Sequence, residues 1–141
     1  MTYVFGPFWR FMDFRGRATR RELWAFTLLF VILEIGIFVG SAVIAAFVHP
    51  AIIEANRDPI YFWTLRLMAM VAILFVLPML AVQVRRLHDL GLRGWIVLFH
   101  ALPLVGSLIL FVMMLLPGKR GFNAYGPDPR TRGAELTTVF N

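Results

Sequence analysis

The chain has 141 residues, 60% of them hydrophobic and only 16% charged, with a formal charge of +6 at pH 7 and no cysteine. Soluble domains average about a quarter charged residues, and a core built by so short a chain cannot hide three apolar runs of about 20 residues each. The absent cysteines exclude a disulfide framework, thiolate chemistry and Cys-ligated metals. The basic excess fits cytoplasmic loops of a membrane protein better than a nucleic-acid surface, for which no motif is present.

The first segment, residues 1–22, interleaves Tyr3, Phe5, Phe8, Trp9, Phe11 and Phe14 with Arg10, Arg15 and Arg17. Aromatic and basic residues mixed in this way suit the headgroup layer. Pro7 suits a first helical turn, so a short interfacial helix from Pro7 to Asp13 is predicted, ended by Gly16. Thr19 and Glu22 have the spacing of a capping box, which places a helix start just before Leu23. The apolar run that follows a head with five arginines is longer than a signal-peptide core of about 7–15 residues, so an uncleaved span is expected.

The second segment, residues 23–116, reads as a helical membrane domain. One span runs from Leu23 to about Val48, and Gly36 and Gly40 in it make a GxxxG pair. That pair permits close helix approach, either to the second span or to another copy in a homo-oligomer. His49-Pro50 and the stretch from Glu54 to Pro59 form a polar connection, with Asp58-Pro59 starting the next helix. The second span, Ile60 to Val84, carries Arg66 near its start, where it can snorkel, and Pro78, which should kink it. Trp95 to Leu116 is interrupted by Pro103-Leu104-Val105-Gly106-Ser107, so it is either one kinked crossing or a hairpin that enters and returns.

Arginines distribute unevenly around these spans. Arg10, Arg15, Arg17, Arg20 and Arg21 precede the first, and Arg85, Arg86 and Arg93 follow the second, whereas the connection holds only Arg57 against Glu54 and Asp58. The N-terminus and the Arg85–Arg93 loop therefore belong in the cytoplasm. A hairpin would return Lys119, Arg120, Arg130 and Arg132 to the same side, so a broken or re-entrant third segment and a cytoplasmic C-terminus are expected. The third segment, residues 117–141, is a polar tail in which Gly126-Pro127-Asp128-Pro129 points to extended or disordered chain.

Chemistry concentrates at the cytoplasmic edge, in Arg85-Arg86-Leu87-His88-Asp89 and on to Gly94-Trp95. With Arg17, Arg20 and Arg21 brought to the same face, these residues form a candidate pocket for lipid phosphates or a partner protein, since guanidinium forks match phosphate oxygens. Such charge also serves simply to orient the chain. His88 and Asp89 are neighbours on a helix and diverge, so adjacency does not make them an acid–base pair. No nucleophile elbow, H-E-x-x-H or phosphate-cradling Gly-rich loop occurs, and His49, His88 and His100 have no zinc-ligand spacing. No cofactor and no enzyme activity is expected. Glu34 falls near the bilayer midplane, where a carboxylate is a functional candidate. With His100 or Arg66 as partner it supports an alternative, a small transporter or channel component.

Phe14-Arg15-Gly16-Arg17-Ala18-Thr19-Arg20-Arg21-Glu22-Leu23-Trp24 resembles the entry motif of a family of small bacterial inner-membrane proteins, domain of unknown function 805. Arg85-Arg86-Leu87-His88-Asp89 with Gly94-Trp95 looks like its central signature, and Pro103-Leu104-Val105-Gly106 and Asn123-Ala124-Tyr125-Gly126-Pro127-Asp128-Pro129 are similar to its later elements. The family often has Ser-Gly-Trp where this chain has Arg93-Gly94-Trp95, and Gly-Glu-Asn where it has Gly121-Phe122-Asn123. The resemblance implies an inner-membrane location and no established activity. The expected molecule is an all-α polytopic membrane protein, a non-enzymatic interaction module whose arginine-rich face meets anionic lipid or a protein partner and no nucleic acid.

Overall fold

Thr19 accepts the Glu22 amide on its hydroxyl at 3.2 Å, the N-cap half of the expected capping box. Glu22 does not reach back to complete it, because its carboxylate is taken by Arg85. The structure, a computed structural model, describes residues 2–47 and 59–131. The His49-Pro50 turn, the connection with Glu54, Arg57 and Asp58, and Arg132 lie outside the described residues. Four α-helices follow one another: α1 (Thr2–Trp9), α2 (Arg20–Phe47), α3 (Pro59–Asp89) and α4 (Val105–Leu115), with a 3-10 helix, Gly94–Ala101, before α4. No strand is present among the described residues.

α1 departs from the expected Pro7–Asp13. It begins earlier and carries Pro7 near its end, where the missing N–H leaves one intrahelical bond unmade. The chain turns at residues 10–12, and Gly16 bends it before the first span. α2 and α3 have 28 and 31 residues, about 42 and 46 Å at the α-helical rise, against about 30 Å of hydrocarbon. The most apolar window of α2 buries none of its residues and that of α3 only 28%. A soluble core helix would bury this face; rows of exposed Phe, Leu and Ile such as Phe38, Ile73 and Leu74 require an apolar solvent. α3 remains helical through Pro78.

α3 ends in a Schellman motif: the Leu92 amide donates to the Leu87 carbonyl and the Gly91 amide to that of His88, both at 2.9 Å. Gly91 takes the left-handed conformation that this closure needs, φ +76°. The chain then enters the apolar hairpin. Its 3-10 helix has 8 residues and α4 has 11, each about 16 Å long, so neither arm crosses alone. A γ-turn joins them, with the Val105 amide on the Pro103 carbonyl at 2.7 Å and Leu104 at φ +61°. Beyond α4 the Lys119 amide donates to the Asp89 carbonyl at 2.9 Å. The third apolar segment thus leaves from Asp89 and comes back to it, as a broken, returning element.

Two compact units are present, one of Met1–Phe26 with Leu77–Asn141 and one of Thr27–Val76. The first holds the hairpin, with Phe8 edge-on to Phe26 and Trp24 to Phe111. In the second, Phe30 meets Phe75 at 5.2 Å between ring centres. Gly36 and Gly40 do not mediate close packing there, because a Cβ at either would meet nothing within 4 Å. They line an open groove of about 440 Å³ with Ser41 and Trp63. The tail is also not disordered up to Thr131. It has no helix, as Pro127 and Pro129 demand, but the Asn123 and Gly126 amides and carbonyls pair reciprocally.

Gly106 sits where α4 crosses Phe99, and a Cβ there would collide with the Phe99 carbonyl. Gly106→Ala is therefore expected to destabilise the hairpin by about 1–3 kcal/mol, the usual cost of overpacking. Thermal unfolding of the detergent-solubilised protein measures it, and an unchanged midpoint would refute the tight crossing.

Candidate functional site

At the end of α3, arginines and one aspartate form a buried ion cluster. Asp89, with its side chain 2% exposed, receives Arg17 Nε at 2.9 Å and Nη2 at 2.8 Å on Oδ1, and Arg86 Nη1 on Oδ2. Arg17 is carried by the loop before α2, whose Ala18 amide donates to the Arg85 carbonyl at 3.0 Å. The same Arg17 guanidinium donates to the carbonyls of Gly121 (2.6 Å), Gly126 (3.3 Å) and Lys119. One side chain therefore joins the N-terminal loop, α3 and the tail.

Arg85 and Arg86 are fully buried, and each faces a different neighbour. Arg85 donates to the carbonyls of Arg10 (3.2 Å) and Asp13 (3.1 Å) and to Glu22 Oε1 (3.2 Å). Arg86 reaches the Leu116 carbonyl as well as Asp89. Arg20 donates to the Leu115 carbonyl at 3.1 Å. Two arginines thus satisfy the orphan carbonyls at the C-terminus of α4, which is why the returning arm docks here.

His88 is a packing residue rather than the partner of Asp89. Its ring stacks on Tyr125 at 3.9 Å and 5°. Nδ1 lies 3.2 Å from the Gly16 carbonyl, and since a carbonyl only accepts, Nδ1 carries the proton. The Asn123 side chain donates to the His88 carbonyl at 3.0 Å. In the tail, Asp128 accepts the Arg130 guanidinium at 2.8 Å and the amides of Gly121 and Arg130 at 3.3 and 3.0 Å. Burial pushes this carboxyl up, but the Arg130 hydrogen bond and the two amides outweigh it and hold it below 3.8. Asp13, bound first by Arg10 at 2.7 Å and then by the Arg15 amide, is likewise lowered.

Beside this cluster opens a cleft of about 400 Å³, lined by Thr19, Arg20, Arg21, Arg86, Asp89 and Arg130 among others. Arg20, Arg21 and Arg130 are exposed. Arg21 has no hydrogen-bond or ion-pair partner among the described residues. Of the residues that the sequence singles out, Arg17, Arg20, Arg21, Arg85, Arg86, His88 and Asp89 are brought together. Trp95 is not: it is 57% exposed on the 3-10 helix, edge-on to Phe99. Glu34, Arg66 and His100 do not form a set either. The Glu34 oxygens are buried without a hydrogen-bond partner among the described residues. Arg66 lies over the Phe62 ring at 4.0 Å, and His100 bonds Gln83 (3.0 Å) and Ser107 (3.3 Å). Sequence reasoning missed Glu22, Arg130 and Asp128 as members of the clasp, although the family-like Asn123–Pro129 motif marked the place.

Residues 11–127 match the family model described as protein of unknown function, DUF805. The chain belongs to this family. It is similar to the Escherichia coli inner membrane protein YhaI, 34% identical over 85% of this chain and 88% of that protein. It is also similar to inner membrane protein YhaH of the same organism, 34% identical over 85% and 89% respectively. No solved structure matches. Family and relatives together make this DUF805 chain an inner-membrane protein, and neither names a reaction.

Asp89→Ala would strand Arg17 and Arg86 as buried unpaired cations, so a loss of about 3–5 kcal/mol is expected. Arg21→Gln should stay within about 0.5 kcal/mol. Chemical or thermal unfolding in detergent compares them, and equal effects would contradict the division between clasp and cleft. Docking of the tail carries its own pH signature. A carboxyl held below its unfolded value contributes stability above that value and loses it as pH falls through the lower, folded one. Hydrogen exchange at Gly121 and Arg130 should therefore stay slow from neutral pH down to about 4 and rise only below it. Asp128→Asn should raise it at neutral pH and remove the acid dependence.

Proposed function

We propose that this DUF805 protein is a non-catalytic membrane module that holds an anionic group in the arginine cleft at the cytoplasmic edge of the bilayer. The observation that carries this reading is Arg21, charged, exposed and without a protein partner, beside Arg20 in a concave site also lined by Arg86 and Arg130. The guanidiniums of Arg17, Arg85 and Arg86 are buried and donate to protein acceptors; that of Arg21 is exposed and donates to none among the described residues. It stands in the first turn of α2, where the helix dipole adds positive potential and first-turn amides point at a ligand. Charge left over at a membrane edge finds anionic lipid headgroups at high local concentration.

The orientation follows from the same clasp. The hairpin ends meet at Asp89 and Arg17 holds the tail, so the N-terminal loop and the tail share one side. The excess of arginine on that side supports a cytoplasmic orientation for it. Trp9 and Met12, 87% and 69% exposed, then meet the headgroup layer as an apolar rim. Two measurements test the reading. A reporter fused after the tail should be active in its cytoplasmic form and silent in its periplasmic form; the reverse would sink the orientation. Arg20→Gln with Arg21→Gln should reduce co-purified anionic lipid by severalfold, about the loss of one or two charge-assisted bonds, and an unchanged lipid content would remove the cleft from the function.

A further inference from the structure

The cleft also limits what kind of anion fits. Four guanidiniums line it against one carboxylate, Asp89, and that carboxylate is already matched on both oxygens by Arg17 and Arg86. Arg130 is matched by Asp128. With Arg17 the cluster holds five guanidiniums against the carboxylates of Asp89 and Asp128, an excess of three charges, two of them on Arg20 and Arg21, adjacent residues with no carboxylate partner among the described residues. Their free donors are numerous. Arg21 offers all five of its N–H groups, and Arg20 has spent only one, on the Leu115 carbonyl. The backbone amides of Arg20 and Arg21 begin α2 and have no acceptor among the described residues, as first-turn amides of a helix lack one within it. The Thr19 hydroxyl is already occupied by the Glu22 amide.

From these observations we infer that the ligand is a phosphate monoester, a group with two negative charges and three terminal oxygens, rather than a phosphodiester headgroup. The inference rests on the anion-binding reading of the cleft. A diester carries one charge and two free oxygens, and would leave one of the paired cations and several donors unmatched in a partly enclosed site. A monoester carries about −1.5 to −2 at pH 7, which matches the two cations that have no carboxylate partner. The volume, about 400 Å³, is near the lower end for small-ligand sites and suits a headgroup without a large substituent on phosphorus. The chemistry has two sources: a membrane lipid whose headgroup is a bare phosphate, or a soluble phosphate ester.

The test uses the full chain in detergent, followed by thermal unfolding and native mass spectrometry. Probes are phosphatidic acid, phosphatidylglycerol, glycerol 3-phosphate and inorganic phosphate. Phosphatidic acid is expected to bind at least about tenfold more tightly than phosphatidylglycerol. The preference should be lost in Arg21→Gln and kept in Arg93→Gln, an exposed arginine outside the cleft. It should also shrink below about pH 6, where the monoester takes its second proton. Because Arg21 has no structural partner, the unfolding midpoint without ligand checks that the variant is intact. If glycerol 3-phosphate or phosphate binds as tightly as phosphatidic acid, the monoester is supported and its source is soluble. If both lipids bind equally and both are lost in Arg21→Gln, the monoester is overturned while the anion cleft survives. If neither lipid responds to Arg21→Gln, both are overturned.

Discussion

A single carboxylate organises the arginine-rich end of this protein. Asp89 lies in the last turn of α3, and two arginines from different parts of the chain fill its two oxygens. Arg17 brings the N-terminal loop and, through three carbonyls, the tail. Arg86 brings the end of α4 through the Leu116 carbonyl. Remove the negative charge and four separate pieces of chain lose their common point. The returning geometry of the hairpin is a consequence, since both of its ends are fixed within a few residues of Asp89.

Burying three charges is costly, and replacement of such sets by apolar residues is often neutral or stabilising. At a membrane edge the alternative is different. Apolar packing there would draw the loop and tail into the hydrocarbon, with backbone amides and carbonyls that must be satisfied. Arginine answers both demands at once, because its planar fork carries five donors in fixed directions. Arg17 uses its donors on one carboxylate and three carbonyls, and Arg85 on one carboxylate and two. A lysine has one compact head with three donors and would leave carbonyls of the tail unmatched. Up to Thr131 the tail is held partly by side chains of other segments, Arg17 above all, and partly by its own Asn123–Gly126 pair and the contacts of Asp128.

Much of this was legible in the sequence. Length and apolar composition gave the two long helices, Thr19 and Glu22 marked the start of α2, and the Pro103–Ser107 interruption with its flanking charges pointed to a returning third segment. What could not be read was pairing across distance. Nothing local says that Glu22 turns to Arg85, 63 residues away, rather than back to the Thr19 amide. Nothing local says that Arg130 closes on Asp128 beside Asp89. Gly36 and Gly40 show the converse: the spacing permits close approach, but within this chain permission is not contact, and the groove beside them is open. Of the residues weighed for transport, Arg66 lies over a ring and His100 bonds an amide and a hydroxyl, while the Glu34 oxygens have no hydrogen-bond partner among the described residues.

The arginines of the edge therefore fall into two kinds that sequence pattern alone joins. Arg17, Arg85 and Arg86 are buried and bonded to protein acceptors, although Nε of Arg85 and of Arg86 has none among the described residues, so their substitution reports on folding whatever the function is. Arg21 is exposed and unsaturated, with Arg20 intermediate, one bond spent and the rest open. An interaction surface must consist of groups with unmet capacity, and burial together with hydrogen-bond satisfaction measures that capacity directly. By that criterion the conspicuous Arg-Arg-Leu-His-Asp motif is the scaffold of the site. The working edge in the proposed function is the less conspicuous pair at the start of α2, held in place by that scaffold and by the tail that lies across it.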